Sequence, residues 1–211
     1  MKNYIRGKFI TFEGCDGCGK STQLKMFADY LSANKIPHIF TREPGGGKIS
    51  ECIREIILDG RNGEMTDECE ALLYAAARVQ HIHDRVEPAL KEGKIVICDR
   101  YIDSSFAYQA YARGLGFDFI ADINSYAVKN YLPDLTIFID LSPEEAFSRK
   151  HGADENDRME QAGANFHARV YEGYKKLLKE YPDRIRAVDG RKTPNEVFEE
   201  ILSALKEKCC L

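Results

Sequence analysis

No stretch of the 211 residues approaches the roughly 20 consecutive apolar residues that a membrane-crossing helix needs, which excludes a helical span. The opening MKNYIRGKFITFEG has basic residues but no apolar segment of signal-peptide length before its strand-like run, so a cytoplasmic chain is expected. Internal repeats, low-complexity tracts and linkers are also missing, and one domain spanning residues 1–211 is the simplest expectation. There is no surplus of positive charge. The net charge of −4 argues against broad nucleic-acid binding, though not against a local basic pocket. The end KCCL carries Lys208 where a prenylation box requires Cys, so no lipid anchor is expected. Seven scattered cysteines, an odd number, suit free thiols in a reducing compartment.

What is present is an alternation. Short apolar, β-branched runs (KFITFEG 8–14, HIFTREP 38–44, KIVICDR 94–100, LTIFIDL 135–141, IRAVDG 185–190) are separated by stretches of crossover length. Their near-continuous apolar character predicts strands covered on both faces. Ser142-Pro-Glu-Glu145 and Thr193-Pro-Asn-Glu196 read as helix-starting capping boxes, and long helices are predicted over about 66–91 and 157–180. The result is an α/β fold with a five-stranded parallel sheet flanked by helices. Ligands should then gather at the carboxyl ends of the strands, beside Glu13-Gly14, Arg42-Glu43-Pro44 and Asp99-Arg100.

The segment Gly-Cys-Asp-Gly-Cys-Gly-Lys-Ser at 14–21 admits two parses. As Cys-x-x-Cys it would be a redox pair or half of a metal site. No second pair of Cys or His supplies the remaining ligands, and a redox motif does not carry Gly-Lys-Ser behind it. As Gly-x-x-x-x-Gly-Lys-Ser between a strand and a helix it is a phosphate-binding loop. Gly14, Gly17 and Gly19 let the amides around Cys15, Asp16 and Cys18 turn inward, and the following helix start at Lys20, Ser21 and Thr22 adds positive potential. Lys20 would reach the outer phosphates of the nucleotide, and Ser21 would ligate Mg2+. Cys15 and Cys18 read as small loop residues, with a thiol pKa lowered by Lys20 as one expectation.

A regulatory GTPase would need a glycine switch after the strand ending at Asp99 and an Asn-Lys-x-Asp reader, and neither occurs. TREPGG (41–46), YAAARVQH (74–81), DRYIDSSFAYQ (99–109) and PDLTIFID (133–140) instead follow the loop in order. With EGCDGCGKST they resemble the thymidylate kinase family, nucleoside monophosphate kinases that pass the γ-phosphoryl of ATP to dTMP on the route to dTTP. The resemblance covers nearly the whole chain. It implies Mg2+ as cofactor, ATP and dTMP as substrates, a mobile lid and a homodimer.

By that resemblance Arg42 and Arg100 clamp the acceptor phosphate, as guanidinium forks suit it. Arg54 joins them, and Pro44 shapes the turn beneath with Gly45 and Gly46. Asp99 stands beside the metal with Ser21, and Asp16 orients Arg42 or the deoxyribose. Tyr74 stacks on thymine, Arg78 donates to its carbonyl, and Gln109, Ser104 and Ser105 complete the base pocket. Gly17 assigns the chain to relatives with a basic lid, here SRKHGADENDR at 148–158. Arg149 is expected over the ATP phosphates, with Lys150 and Arg158 as rivals and His151 a solvated loop residue. Two departures stand out. Gly47 replaces a usual Thr, which should loosen the acceptor loop, and Ala110 replaces a usual Gly, which should tighten the pocket. A non-enzymatic nucleotide-binding or redox-sensing protein using Cys15 and Cys18 is the rival from another class.

Overall fold

A computed structural model of the chain describes residues 6–150 and 157–209. Among these, β1 (Phe9–Glu13), β2 (His38–Arg42), β3 (Ile95–Asp99), β4 (Leu135–Asp140) and β5 (Ile185–Asp189) form one parallel sheet in the order β2-β3-β1-β4-β5. Consecutive strands are joined through helices α1 (Lys20–Ala33), α2 (Lys48–Leu58), α3 (Asp67–His81), α4 (Glu87–Lys91), α5 (Ile102–Ser105), α6 (Phe117–Ile123), α7 (Ser125–Asn130), α8 (Pro143–Lys150) and α9 (Ala164–Glu180), and α10 (Pro194–Cys209) follows β5.

The strand period of two sorts the core into two layers. Phe9, Val96, Cys98 and Phe138 face one side with Ile82, Tyr101 and Val170. Ile10, Phe12, Ile97 and Ile137 face the other with Phe27, Leu31 and Ile201. Burial on both faces holds for β1, β3 and β4, whereas β2 is only half-buried because it forms the sheet edge.

The predicted rod over 66–91 is present with a change of pitch. Thr66 caps α3 by accepting from the amide of Cys69, and a π-helical turn over Ile82–Val86 joins α3 to α4. Pro88 has no amide to give the preceding turn, and the ladder widens there. The helix predicted from 157 begins only at Ala164. Gly163, with φ 87°, stops backward propagation, and a short 3-10 turn at Glu160–Ala162 precedes it. Both capping boxes form: Ser142 and Thr193 hydroxyls accept from the amides of Glu145 and Glu196, whose carboxylates return to the capping residues.

Candidate active site

β1 delivers the chain into the loop, and α1 starts directly behind it. Gly14, Gly17 and Gly19 have φ of 141°, 84° and 104°, a region that side chains rarely enter. At Gly14 a Cβ would also meet Cys18 Sγ at 2.8 Å and the Ile139 carbonyl oxygen at 2.9 Å. Lys20, almost buried, donates to the carbonyls of Gly14 and Cys15 at 3.0 and 3.1 Å and closes the loop on itself. Cys15 and Cys18 point into the core beside Phe12 and Ile139. Burial, then Cys18, push the Cys15 thiol up to about 12. The expectation of an activated thiol is overturned there, because loss of water outweighs Lys20.

One cavity is lined by Gly17, Gly19, Lys20, Ser21 and Thr22 of the loop, and by Arg42, Asp99, Arg100 and Arg149. Gly14 and Cys15 are not on its wall; their carbonyls bind Lys20 behind it. Oδ1 of Asp99 is buried with no hydrogen-bond partner. Arg100 pairs with Asp16 at 2.7 Å and reaches Ser104 and Tyr174. Its φ of 64° lies in the left-handed region that non-glycine residues rarely enter, a strained setting of the kind found where geometry serves a site. Asp16 therefore orients Arg100, not Arg42. Arg42 is exposed and holds Glu51 at 2.9 Å.

A second cavity adjoins the first and shares Asp16, Glu43, Arg54 and Arg100 with it. Its walls add Pro44, Tyr74, Arg78, Ser104, Ser105, Tyr108 and Gln109. Arg54 reaches the Pro44 carbonyl at 2.9 Å, so it is no solvated helix charge. Burial, then Arg42, lower its pKa. Tyr74 and Arg78 lie one turn apart on α3, and burial raises the Tyr74 phenol. Arg78 is 2% exposed, donates to Glu43 at 2.7 Å and is also held by Asn124 and the Tyr101 carbonyl. The hydroxyl of Ser105 is buried without a partner, a group that a ligand in the cavity would satisfy.

Three other sequence expectations, at Arg158, Ala110 and Gly47, meet a different geometry. Arg158 is not at the loop: its guanidinium pairs with Glu70 at 2.7 Å and donates to the Ile57 carbonyl. Arg149 does face the loop cavity and is tied to the Gly190 carbonyl at 2.8 Å. The side chain of Lys150, together with His151, lies outside the described residues. Ala110 packs in the core and does not narrow the cavity. Gly47 has extended φ and starts α2, where a Cβ would come within 2.7 Å of Asp84; crowding, not looseness, marks the position.

Several site residues received no role in the sequence reading. Glu13 ends β1 completely buried and accepts from the amide of Tyr101, the Ser104 hydroxyl and the Tyr174 phenol. Burial, then Asp103, push its carboxyl up to about 7. Glu43 is gripped by Arg78 and by His81 Nδ1 at 2.8 Å, while His81 Nε2 meets Thr41 at 2.6 Å. Tyr108 lies under the Arg100 guanidinium at 5.3 Å. A groove beside the loop, walled by Gln23, Arg149, Gly190, Lys192 and Val197, extends the first cavity toward β5 and α10. The strand-end rule had placed Glu13 and Glu43 beside the site, but not their roles, because their partners are far away in sequence.

A family model described as Thymidylate kinase matches residues 12–201. Among curated proteins, the Thymidylate kinase of Clostridium novyi (strain NT) is 50% identical over 203 residues, covering 95% of this chain and 99% of its own length. That of Bacillus velezensis is 47% identical over 205 residues, with 96% and 97% coverage. That of Lactobacillus acidophilus is 45% identical over 207 residues, with 97% and 96% coverage.

Proposed function

We propose, for a chain that belongs to the thymidylate kinase family, a division of labour between its two cavities. The enzyme moves the γ-phosphoryl of ATP to dTMP, giving dTDP and ADP. Two anionic groups must meet in line, so neutralisation and alignment dominate and little covalent chemistry falls to the protein. The acceptor oxygen is already ionised, and no general base is needed.

The loop cavity takes the donor. Loop amides and Lys20 hold its phosphates, Arg149 closes on them from α8, and the groove at Gly190–Val197 seats the adenosine. The adjoining cavity takes dTMP. Arg54 and Arg100, with Arg42 from the rim, hold the acceptor phosphate, and Asp16 fixes Arg100. Tyr74 stacks on the base while Arg78, Ser105 and Gln109 read its polar edge. Such a pocket penalises the wrong base because its buried polar atoms would be left unpaired. The observation that carries this reading is that the two cavities meet at Arg54 and Arg100, where the transferred group must pass.

Mg2+ fits the donor cavity. The unpartnered Oδ1 of Asp99 and the hydroxyl of Ser21 on the same wall would hold it, directly or through water. When bound it neutralises charge on the β- and γ-phosphates.

The proposal extends to one catalytic unit over the chain, acting as a cytoplasmic homodimer. Its free thiols suit a reducing compartment. Ile49 and Ile56 on α2, with Leu72 and Val79 on α3, form an exposed apolar face for a second copy.

ADP release from Mg-ATP against dTMP, dUMP, UMP, dCMP, dGMP and AMP tests the reading. Fast turnover with dTMP, weaker with dUMP and little elsewhere is expected. Preference for another acceptor would overturn the assigned base contacts, and no turnover with any would overturn the enzyme.

A further inference from the structure

A side-chain amide is a reader with two ends, since its NH2 donates and its oxygen accepts. Left unconstrained, it can turn either end to a ligand and recognise opposite patterns. In the acceptor cavity Gln109 is 2% exposed and donates from Nε2 to Oε1 of Glu70 at 2.8 Å. A carboxylate has no proton to give. The reversed amide would set oxygen against oxygen, so the orientation follows from the partner's chemistry.

Glu70 is itself held in place. It is fully buried on α3, and its other oxygen takes Arg113 at 2.8 Å and Arg158 at 2.7 Å. Arg113 lies over the Phe166 ring at 4.4 Å, and Arg158 is bound through Nε to the Ile57 carbonyl at 3.0 Å. Two guanidinium groups fixed from separate elements offset the charge, and the first oxygen, which also takes Arg113 Nε at 3.3 Å, accepts its shorter bond from Gln109. A residue so buried and so partnered, beside a pocket yet not on its wall, acts through the side chain it touches.

We propose that Glu70 is a positioning residue for pyrimidine choice: by accepting the Gln109 amide proton it turns the amide oxygen toward the base. Thymine presents an N–H at N3, which that oxygen accepts. Cytosine presents a bare ring nitrogen there, which it repels. The inference rests on the reading of Gln109 as a base contact.

The test measures kcat/KM for dTMP and dCMP with the full-length enzyme, Glu70→Gln, Gln109→Met and the double variant. An amide at 70 can donate to the Gln109 oxygen, so both orientations become open. The dTMP-to-dCMP ratio should fall at least about tenfold in Glu70→Gln, and the KM for ATP should move less than about twofold. In the double variant the ratio should equal that of Gln109→Met alone, because a residue acting through Gln109 has nothing left to orient. An unchanged ratio in Glu70→Gln, or additive losses, overturns the inference and leaves the pocket reading intact. An unchanged ratio in Gln109→Met overturns the pocket reading itself.

Should Glu70→Gln not fold, the unaltered enzyme decides. Its Gln109 side-chain amide protons, identified in a 15N-labelled spectrum by their loss in Gln109→Met, should exchange with solvent far more slowly than a free glutamine amide. Exchange at the free rate overturns the proposal.

Discussion

Glu13 lies beneath the phosphate loop, the last residue of β1, with its carboxylate enclosed by Tyr101, Ser104 and Tyr174. Its carboxyl moves from an ordinary 4.5 up to about 7, through burial and then Asp103. Between those values the folded state binds the proton more tightly than the unfolded one, so stability falls as pH rises, and the full penalty stands above about pH 7. The contribution is on the order of 3 kcal/mol. Glu13→Gln removes the titration. On passing from pH 5 to pH 8, denaturation midpoints should shift in favour of the variant relative to the wild type; parallel pH dependence in both proteins would reject the assignment. Lys20 was legible in the sequence because motif spacing carries it, and Arg100 and Gln109 through the family resemblance. The strand-end rule put Glu13 and Glu43 beside the site without a role, and Glu70 was not legible at all. Each is a single acid whose meaning comes from partners brought by another element, as Tyr174 is brought to Glu13 by α9.

Local chemistry made some elements readable to the residue. The boxes at Ser142 and Thr193 close within one turn, so three intervening positions suffice to see them. The start of α9 was misread because the polar stretch before Gly163 is compatible with a helix until the backbone reverses hand there. The half-buried state of β2 was also hidden, since its apolar run does not reveal that it ends up at the sheet edge. The apolar face of α2 and α3 gives a prediction at this scale. Leu72 is 51% exposed on it, and in the proposed dimer a charge there would be buried unpaired. Leu72→Glu should raise the dimer dissociation constant at least about 100-fold in sedimentation velocity. An unchanged constant would place the contact elsewhere.

For the whole molecule, strand order is what joins the chemistry. β3 and β1 lie side by side, with Phe12 opposite Asp99 and Arg42 opposite Asp99 across the next ladder. Residues 42, 99 and 100 thus meet the loop at the carboxyl end of the sheet, as the strand-end rule led one to expect. The tie of Arg149 to the Gly190 carbonyl was not legible, because it depends on the pairing of β4 with β5. The shared donor cavity predicts a strict need for divalent cation. Chelation should abolish turnover and added Mg2+ restore it, while Asp99→Asn should raise the Mg2+ concentration for half-maximal rate about tenfold or more. An unshifted Mg2+ titration in that variant would remove Asp99 from the metal site.

The placement of the thiols has a practical side. Cys15, Cys18 and Cys98 are sealed in the core, while Cys52 and Cys69 stand exposed on α2 and α3. With Cys209 and Cys210 replaced, maleimide dyes should therefore couple to the outer pair and spare the phosphate loop. That gives a spectroscopic ruler: donor- and acceptor-labelled molecules, once mixed, would report any approach of a second copy by energy transfer.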